Sequence, residues 1–122
     1  ENLKLPNFLM FPGTETKLLK GLEMGNSGII SAICNGTAPL ARKVFDDFEK
    51  KKEQTQNDKL IAVRDAFDGY NLISALHSYM STKNDNFKNL LPPLVLLNSK
   101  EKKDLINKLN DLKFEINNNL AA

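Results

Sequence analysis

The sequence predicts an α/β fold, in which two parallel strands flank a short helix and further helices follow. The first observation is a pair of short apolar runs, residues 8–11 and 28–33, neither of which alternates apolar with polar side chains. Such runs are typical of strands that are covered on both faces. The second observation is the segment 17–24 between them, where leucines recur at helical spacing. A strand, a helix and a strand form a βαβ unit, whose two strands are parallel.

The loops that follow the two predicted strands are the place to look for chemistry, because sites in parallel α/β folds gather at the carboxyl ends of strands. These loops, residues 12–16 and 34–37, are expected to bring Thr14, Glu15, Ser31 and Asn35 to one rim. A structural interpretation of the first loop stays open beside the functional one. In it, Thr14 caps the helix and Glu15 complements the helix dipole.

The remainder of the chain is predicted to be mainly helical, because its apolar residues recur at helical spacing and form an apolar stripe along each helix. Apolar residues at helical spacing predict a helix with Pro39 in its first turn that reaches residue 54, and others over residues 58–69, 71–81 and 100–120. The last stripe ends with Ile116 and Leu120. Asn98, with Glu101 three residues on, is typical of a capping box at the start of that helix.

Two stretches carry a resemblance to a known family. Residues 13–35, GTETKLLKGLEMGNSGIISAICN, are followed by APLARKVFDDF and later by LPPLVLLNSKEKKDLINKL. This succession resembles the closing part of the dihydrodipicolinate synthase/N-acetylneuraminate lyase family. The resemblance implies the C-terminal part of a TIM (β/α)8 barrel, with its last two parallel strands, followed by a C-terminal helical subdomain. Residues 1–54 would be the barrel-closing strand-helix-strand-helix segment and residues 55–122 the helical subdomain.

The same resemblance implies a pyruvate-dependent Schiff-base lyase or aldolase, similar to dihydrodipicolinate synthase (4-hydroxy-tetrahydrodipicolinate synthase) or to a 2-keto-3-deoxy sugar acid aldolase. Pyruvate and an aldehyde would be its co-substrates, with no other cofactor. Family members use a lysine, activated by a tyrosine, and both would precede Phe8. Lys4, Lys17, Tyr70 and Tyr79 match neither position. We therefore expect the 122 residues to be an inactive fragment, without a catalytic residue, of a homo-oligomeric enzyme of roughly 250 residues.

Three residues are expected to bind substrate on the basis of this resemblance. Gly13 matches a turn glycine that lets substrate approach the backbone, and Ile30 matches a strand residue whose backbone lines the pyruvate site. Glu15 matches an acidic position that accepts hydrogen bonds from substrate hydroxyls in sugar-acid members. Thr16 and Ala32 stand where sialate lyases carry a carboxylate and a serine, which argues against sialate.

A non-catalytic α/β-helical assembly module is the alternative hypothesis. The net charge is only +2 and acidic and basic residues are interspersed, which does not favour binding to nucleic acid. No apolar run is long enough for a membrane span. A cytoplasmic protein is the default expectation in the absence of a recognisable signal peptide. The single cysteine, Cys34, offers no metal cluster, and His77 lies at the edge of an apolar stripe, where packing is expected rather than catalysis.

Overall fold

The computed structural model describes residues 5–116, and over that range it is helical without a β-strand. Two 3-10 helices, Glu15–Lys17 and Asp85–Lys88, accompany the α-helices. The α-helices are α1 (Leu18–Glu23), α2 (Cys34–Glu49), α3 (Asn57–Asp68), α4 (Leu72–Met80) and α5 (Ser99–Asp111). The predicted α/β fold class, the last two parallel strands of a TIM barrel with a helical subdomain, is therefore wrong.

The two segments predicted as strands are extended where they meet, and they lie side by side. Ser27 N–H donates to the Met10 carbonyl at 2.9 Å, and Ile30 N–H donates to the Pro12 carbonyl at 3.1 Å. The second segment advances three residues between these bonds while the first advances two, and Gly28 lies between them at φ +144°. The extra residue prevents a regular ladder, because parallel strands advance in equal steps.

The physical reason for the missing strands lies in what surrounds the pair. Strands without polar alternation need cover on both faces. An isolated pair of strands is at best marginally stable in water. In the structure Leu9 and Ile30 remain 65% and 72% exposed, so neither segment has the cover that its composition requires.

Helix α1 ends in a Schellman motif, which turns the chain back toward the first segment. Gly25 N–H donates to the Leu22 carbonyl at 2.9 Å, and Asn26 N–H donates to the Gly21 carbonyl at 2.8 Å. Gly25 has φ +88°, a conformation that glycine adopts without steric cost. The expected helix over residues 17–24 is therefore present, with a 3-10 turn before it.

The chain divides into two compact units, Glu1–Ile61 and Ala62–Ala122. In the first unit α1 packs against α2. Their shared core contains the buried side chains of Leu18, Leu22, Ala41, Val44 and Leu60.

Helix α2 differs from its prediction at both ends. It begins at Cys34, so that Pro39 lies inside the helix rather than in its first turn, and it ends at Glu49 rather than near residue 54. Gly36 N–H and Thr37 N–H both donate to the Ile33 carbonyl, which starts the helix one turn early. Because proline lacks an N–H, only one intrahelical bond is lost by running through it.

In the second unit α4 packs against α5. The predicted helices at 58–69 and 71–81 are confirmed as α3 and α4. The capping box is confirmed as well, since Glu101 N–H donates to Asn98 Oδ1 at 2.9 Å and Asn98 N–H donates to Glu101 Oε2 at 3.0 Å. The apolar stripes of α3, α4 and α5 are buried, since Leu60, Phe67, Leu76 and Leu109 are at most 9% exposed.

The last helix is shorter than predicted. Helix α5 ends at Asp111, and Lys113 at φ 49° takes the chain out of the helical direction. Ile116 is buried, but it lies beyond the helix rather than on its stripe. Leu120, predicted as the end of the stripe, lies outside the described residues.

Candidate functional site

The most unusual feature of the first unit is a carboxylate with no solvent-exposed surface, that of Glu15. Thr14 precedes it in an extended conformation and caps the 3-10 helix, its hydroxyl accepting from Thr16 N–H at 3.4 Å. The capping role considered for Thr14 is therefore confirmed. The cap places Glu15 in the first turn of the helix, with its side chain directed into the unit.

Two hydroxyl groups hold the carboxylate of Glu15. Ser31 Oγ donates to Oε2 at 2.9 Å, and Thr37 Oγ1 donates to Oε1 at 3.1 Å. Ser31 lies within the second segment, whereas Thr37 lies in the first turn of α2 and is itself fully buried. The amino end of a helix favours nearby negative charge, so α2 adds an electrostatic contribution to the two hydrogen bonds.

Cys34 lies beside this cluster at the first position of α2, half-buried. Burial, and secondarily the negative charge of Glu15, raises the pKa of the Cys34 thiol from 9.0 to about 11. A thiol with so high a pKa carries almost no thiolate at neutral pH and is a poor nucleophile. A cysteine in this environment acts as a small, inert packing residue.

The three residues predicted to bind substrate are neighbours in the structure. A Cβ atom built on Gly13 would lie 3.9 Å from the carbonyl oxygen of Ile30, and Ile30 immediately precedes the serine that bonds Glu15. Gly13 and the side chain of Ile30 are exposed, whereas Glu15 is enclosed. In this arrangement the carboxylate meets hydroxyls of its own chain, and a substrate hydroxyl would have to replace one of them.

Asn35 does not join the rim that the sequence predicted. Its side-chain Nδ2 donates to the Ala32 carbonyl at 2.9 Å and closes the turn before α2. Thr37 takes the place that we expected for Asn35. Thr37 was not predicted from the sequence. Its spacing of four residues from Ile33 would place it in the first turn of α2, but only if the helix is known to begin before Pro39.

The histidine and the tyrosines of the second unit have structural partners. His77 Nδ1 lies 3.0 Å from the Phe87 carbonyl oxygen, and the two rings meet edge to face at 5.9 Å between centroids. Tyr70 donates to the Asp104 carboxylate, which raises the pKa of the phenol. Tyr79 accepts a bond from Ile116 N–H at 3.4 Å. Lys17 lies on the surface, and Lys4 is outside the described residues.

Within residues 5–116, no group of histidine, cysteine, aspartate or glutamate side chains is arranged to hold a metal ion. None of the helices in that range has the length and apolarity needed to cross a membrane. The Glu15 cluster is a polar junction between the 3-10 helix and α2, in which Glu15 and Thr37 are fully buried and Ser31 and Cys34 are partly buried. Comparison with models of protein families, with curated proteins and with solved structures finds no match to this chain.

Proposed function

We propose that this chain is a non-catalytic assembly module, which pairs with a second copy of itself through residues 8–11. The observation that carries the proposal is the exposure of four consecutive apolar side chains. Phe8, Leu9, Met10 and Phe11 are 51%, 65%, 38% and 42% exposed. Contiguous apolar surface of this kind on a folded protein marks an interaction site.

The backbone of the same segment offers a free edge. The carbonyl groups of Met10 and Pro12 point to the second extended segment. Because successive residues of an extended chain alternate in direction, the backbone groups of Leu9 and Phe11 point away from that segment. Among the described residues, no backbone group donates to or accepts from Leu9 or Phe11. An extended edge with unpaired N–H and C=O groups is a template for a further strand.

A second copy of the chain is the occupant that fits this edge best. Residues 5–13 contain no charged side chain, so two copies of the segment meet without like-charge repulsion. Antiparallel pairing about a two-fold axis places each segment opposite itself and covers apolar side chains with apolar side chains. The pairing would bury part of the apolar surface that residues 8–11 expose in the monomer.

Sedimentation velocity over a wide concentration range tests this proposal. We expect a reversible dimer in the unmodified chain and monomers for Leu9→Asp and for Phe11→Asp, because each places like charges next to the two-fold axis. Mixing Leu9→Asp with Leu9→Lys should restore the dimer. Ile73→Asp, at an apolar side chain of the second unit that is 45% exposed, is the matched control and should still dimerise. An unmodified chain that stays monomeric at every concentration contradicts the proposal.

A second candidate function is part of a pyruvate-dependent Schiff-base lyase, as the family resemblance suggests. Gly13 lies next to Ile30, and the residue after Ile30 is hydrogen-bonded to Glu15. This proximity favours the second candidate, since Gly13, Glu15 and Ile30 are the residues that the resemblance assigns to substrate binding. In that case polypeptide outside this chain supplies the lysine that attacks the keto group. This chain would contribute binding groups alone.

Borohydride reduction in the presence of pyruvate, followed by mass spectrometry, tests the second candidate. We expect no adduct on this chain. Expressed together with any polypeptide encoded in frame before Glu1, it should give an adduct on one lysine outside residues 1–122. An adduct on Lys17, or no adduct in the extended protein, contradicts the lyase hypothesis without affecting the dimer test.

A further inference from the structure

The first unit contains a cavity of about 260 Å³ on the exposed side of α1. It is lined by Pro12, Lys17, Lys20, Gly21, Met24 and Asn26. The volume lies just below the range of about 300–1,000 Å³ that is typical of ligand pockets. A molecule that fits this cavity would have only a few heavy atoms.

The charge of the cavity is positive on one side. Lys17 and Lys20 are three residues apart and so lie on the same face of the helical turn. Among the described residues no ion pair involves either lysine, and Glu23, the one acidic residue of α1, pairs with neither. Two like charges at this spacing repel each other, and an anion between them removes the repulsion.

Apart from the two lysines and the Asn26 amide, the lining is apolar, and it is closely packed. A Cβ on Gly21 would come within 3.1 Å of Asn26 Nδ2 and 3.4 Å of Pro12 Cγ, so the helix, the amide and the proline ring are already in tight contact. Met24 adds a thioether side chain that adapts to the shape of a bound group. The Schellman motif holds Asn26 against α1, which makes this wall a fixed part of the fold.

We infer that this cavity binds a short aliphatic carboxylate. The carboxylate group lies between the two ammonium groups, and the hydrocarbon portion packs on Pro12 and Met24. A phosphate ion would satisfy the lysines but would leave the apolar wall uncovered, so the cavity favours the organic anion. The site is separate from residues 8–11 and from Glu15, and it does not depend on the proposed dimer.

The test is a titration of the ¹⁵N-labelled full chain followed by amide chemical shifts, with butyrate, acetate, phosphate and butylammonium as probes at constant ionic strength. Butyrate should give saturable shifts of the Gly21 and Asn26 amides, and butylammonium should give none. Lys17→Gln with Lys20→Gln should weaken butyrate binding by about tenfold or more. Lys103→Gln, at an exposed lysine of α5, is the matched control and should change nothing.

Met24→Ser separates the apolar contribution from the charge. It should reduce the preference for butyrate over acetate while leaving acetate binding unchanged. The inference is overturned if butyrate causes no saturable shift, if phosphate binds as tightly as butyrate, or if the double lysine variant binds butyrate like the unmodified chain. Circular dichroism of each variant establishes that the helices are retained.

Discussion

Thr37 Oγ1 donates a hydrogen bond of 3.1 Å to Glu15 Oε1, which ties the first turn of α2 to the 3-10 helix that precedes α1. Both residues are fully buried. A carboxylate in such a place is costly unless hydrogen bonds replace its hydration. Thr37 and Ser31 supply two of those bonds, and they therefore determine whether the first unit can keep Glu15 inside.

Thr37→Val is predicted to destabilise the protein. Valine has the shape of threonine without the hydroxyl, so it leaves a buried carboxylate oxygen short of a donor, at a cost of about 1–3 kcal/mol. Urea denaturation monitored by circular dichroism measures the free energy of unfolding. Thr55→Val, at an exposed threonine, is the control and should stay within about 0.5 kcal/mol of the unmodified chain. Equal effects in the two variants would show that the Thr37 hydroxyl does not support Glu15.

Cys34 is predicted to make stability depend on alkaline pH. Burial first, and Glu15 second, raises the pKa of this thiol from 9.0 to about 11, so the folded chain holds the proton more tightly than the unfolded chain does. The stabilisation is complete below pH 9.0 and is lost as the pH rises toward 11. Cys34→Ala removes this component, and the difference between the two pH profiles measures it. Parallel profiles across that interval would contradict the raised pKa.

Thiol alkylation gives an independent measure of the same environment. Iodoacetamide reacts with the thiolate, so Cys34 in the folded chain should react more slowly at pH 8 than in the urea-unfolded chain. Glu15→Gln removes the neighbouring negative charge and should speed the reaction in the folded state. Ser27→Ala, outside the cluster, is the control and should leave the rate unchanged. A rate that does not respond to Glu15→Gln would show that burial alone sets the pKa.

The existence of the helices was predictable from the sequence because each carries its own signals, whereas both ends of α2 and the end of α5 were not. The capping box of Asn98 and Glu101 predicted the start of α5, and the helical spacing of apolar residues such as Phe67 and Leu109 predicted the buried face of their helices. The extended segments were not predictable in the same way. An apolar run such as residues 8–11 indicates a strand only if other polypeptide covers it, and no local pattern shows whether that cover is present.

The candidate site was predictable in part. Glu15 and Ser31 were expected at one rim, and they are hydrogen-bonded. Thr37 was missed because its role depends on α2 beginning before Pro39, against the usual preference of proline for the first turn. The burial of Glu15 could not be read from the sequence either, since its partners Ser31 and Thr37 lie 16 and 22 residues further along the chain.

Gly25→Ala is predicted to destabilise the first unit, although the space around this glycine is open. No atom lies within 4 Å of a Cβ built there, but φ is +88°, where an alanine is strained. The expected cost is about 1 kcal/mol or more in the free energy of unfolding. Gly69→Ala is the matched control, because it also has open space and no positive φ. It should be neutral or stabilising, and a loss of stability in Gly69→Ala equal to that of Gly25→Ala would refute the backbone explanation.

Asn98→Ala is predicted to weaken the start of α5. The substitution removes the side-chain oxygen that accepts from Glu101 N–H at 2.9 Å and so breaks the reciprocal capping box. Loss of an N-cap costs about 0.5–2 kcal/mol, and the first turn of the helix should fray. Hydrogen exchange of the first amides of α5 locates the effect, and thermal unfolding measures its size. Asn107→Ala, exposed on the same helix, should stabilise slightly because alanine is the better helix former. Unchanged exchange at Glu101 and Lys102 in Asn98→Ala would show that α5 begins without help from its cap.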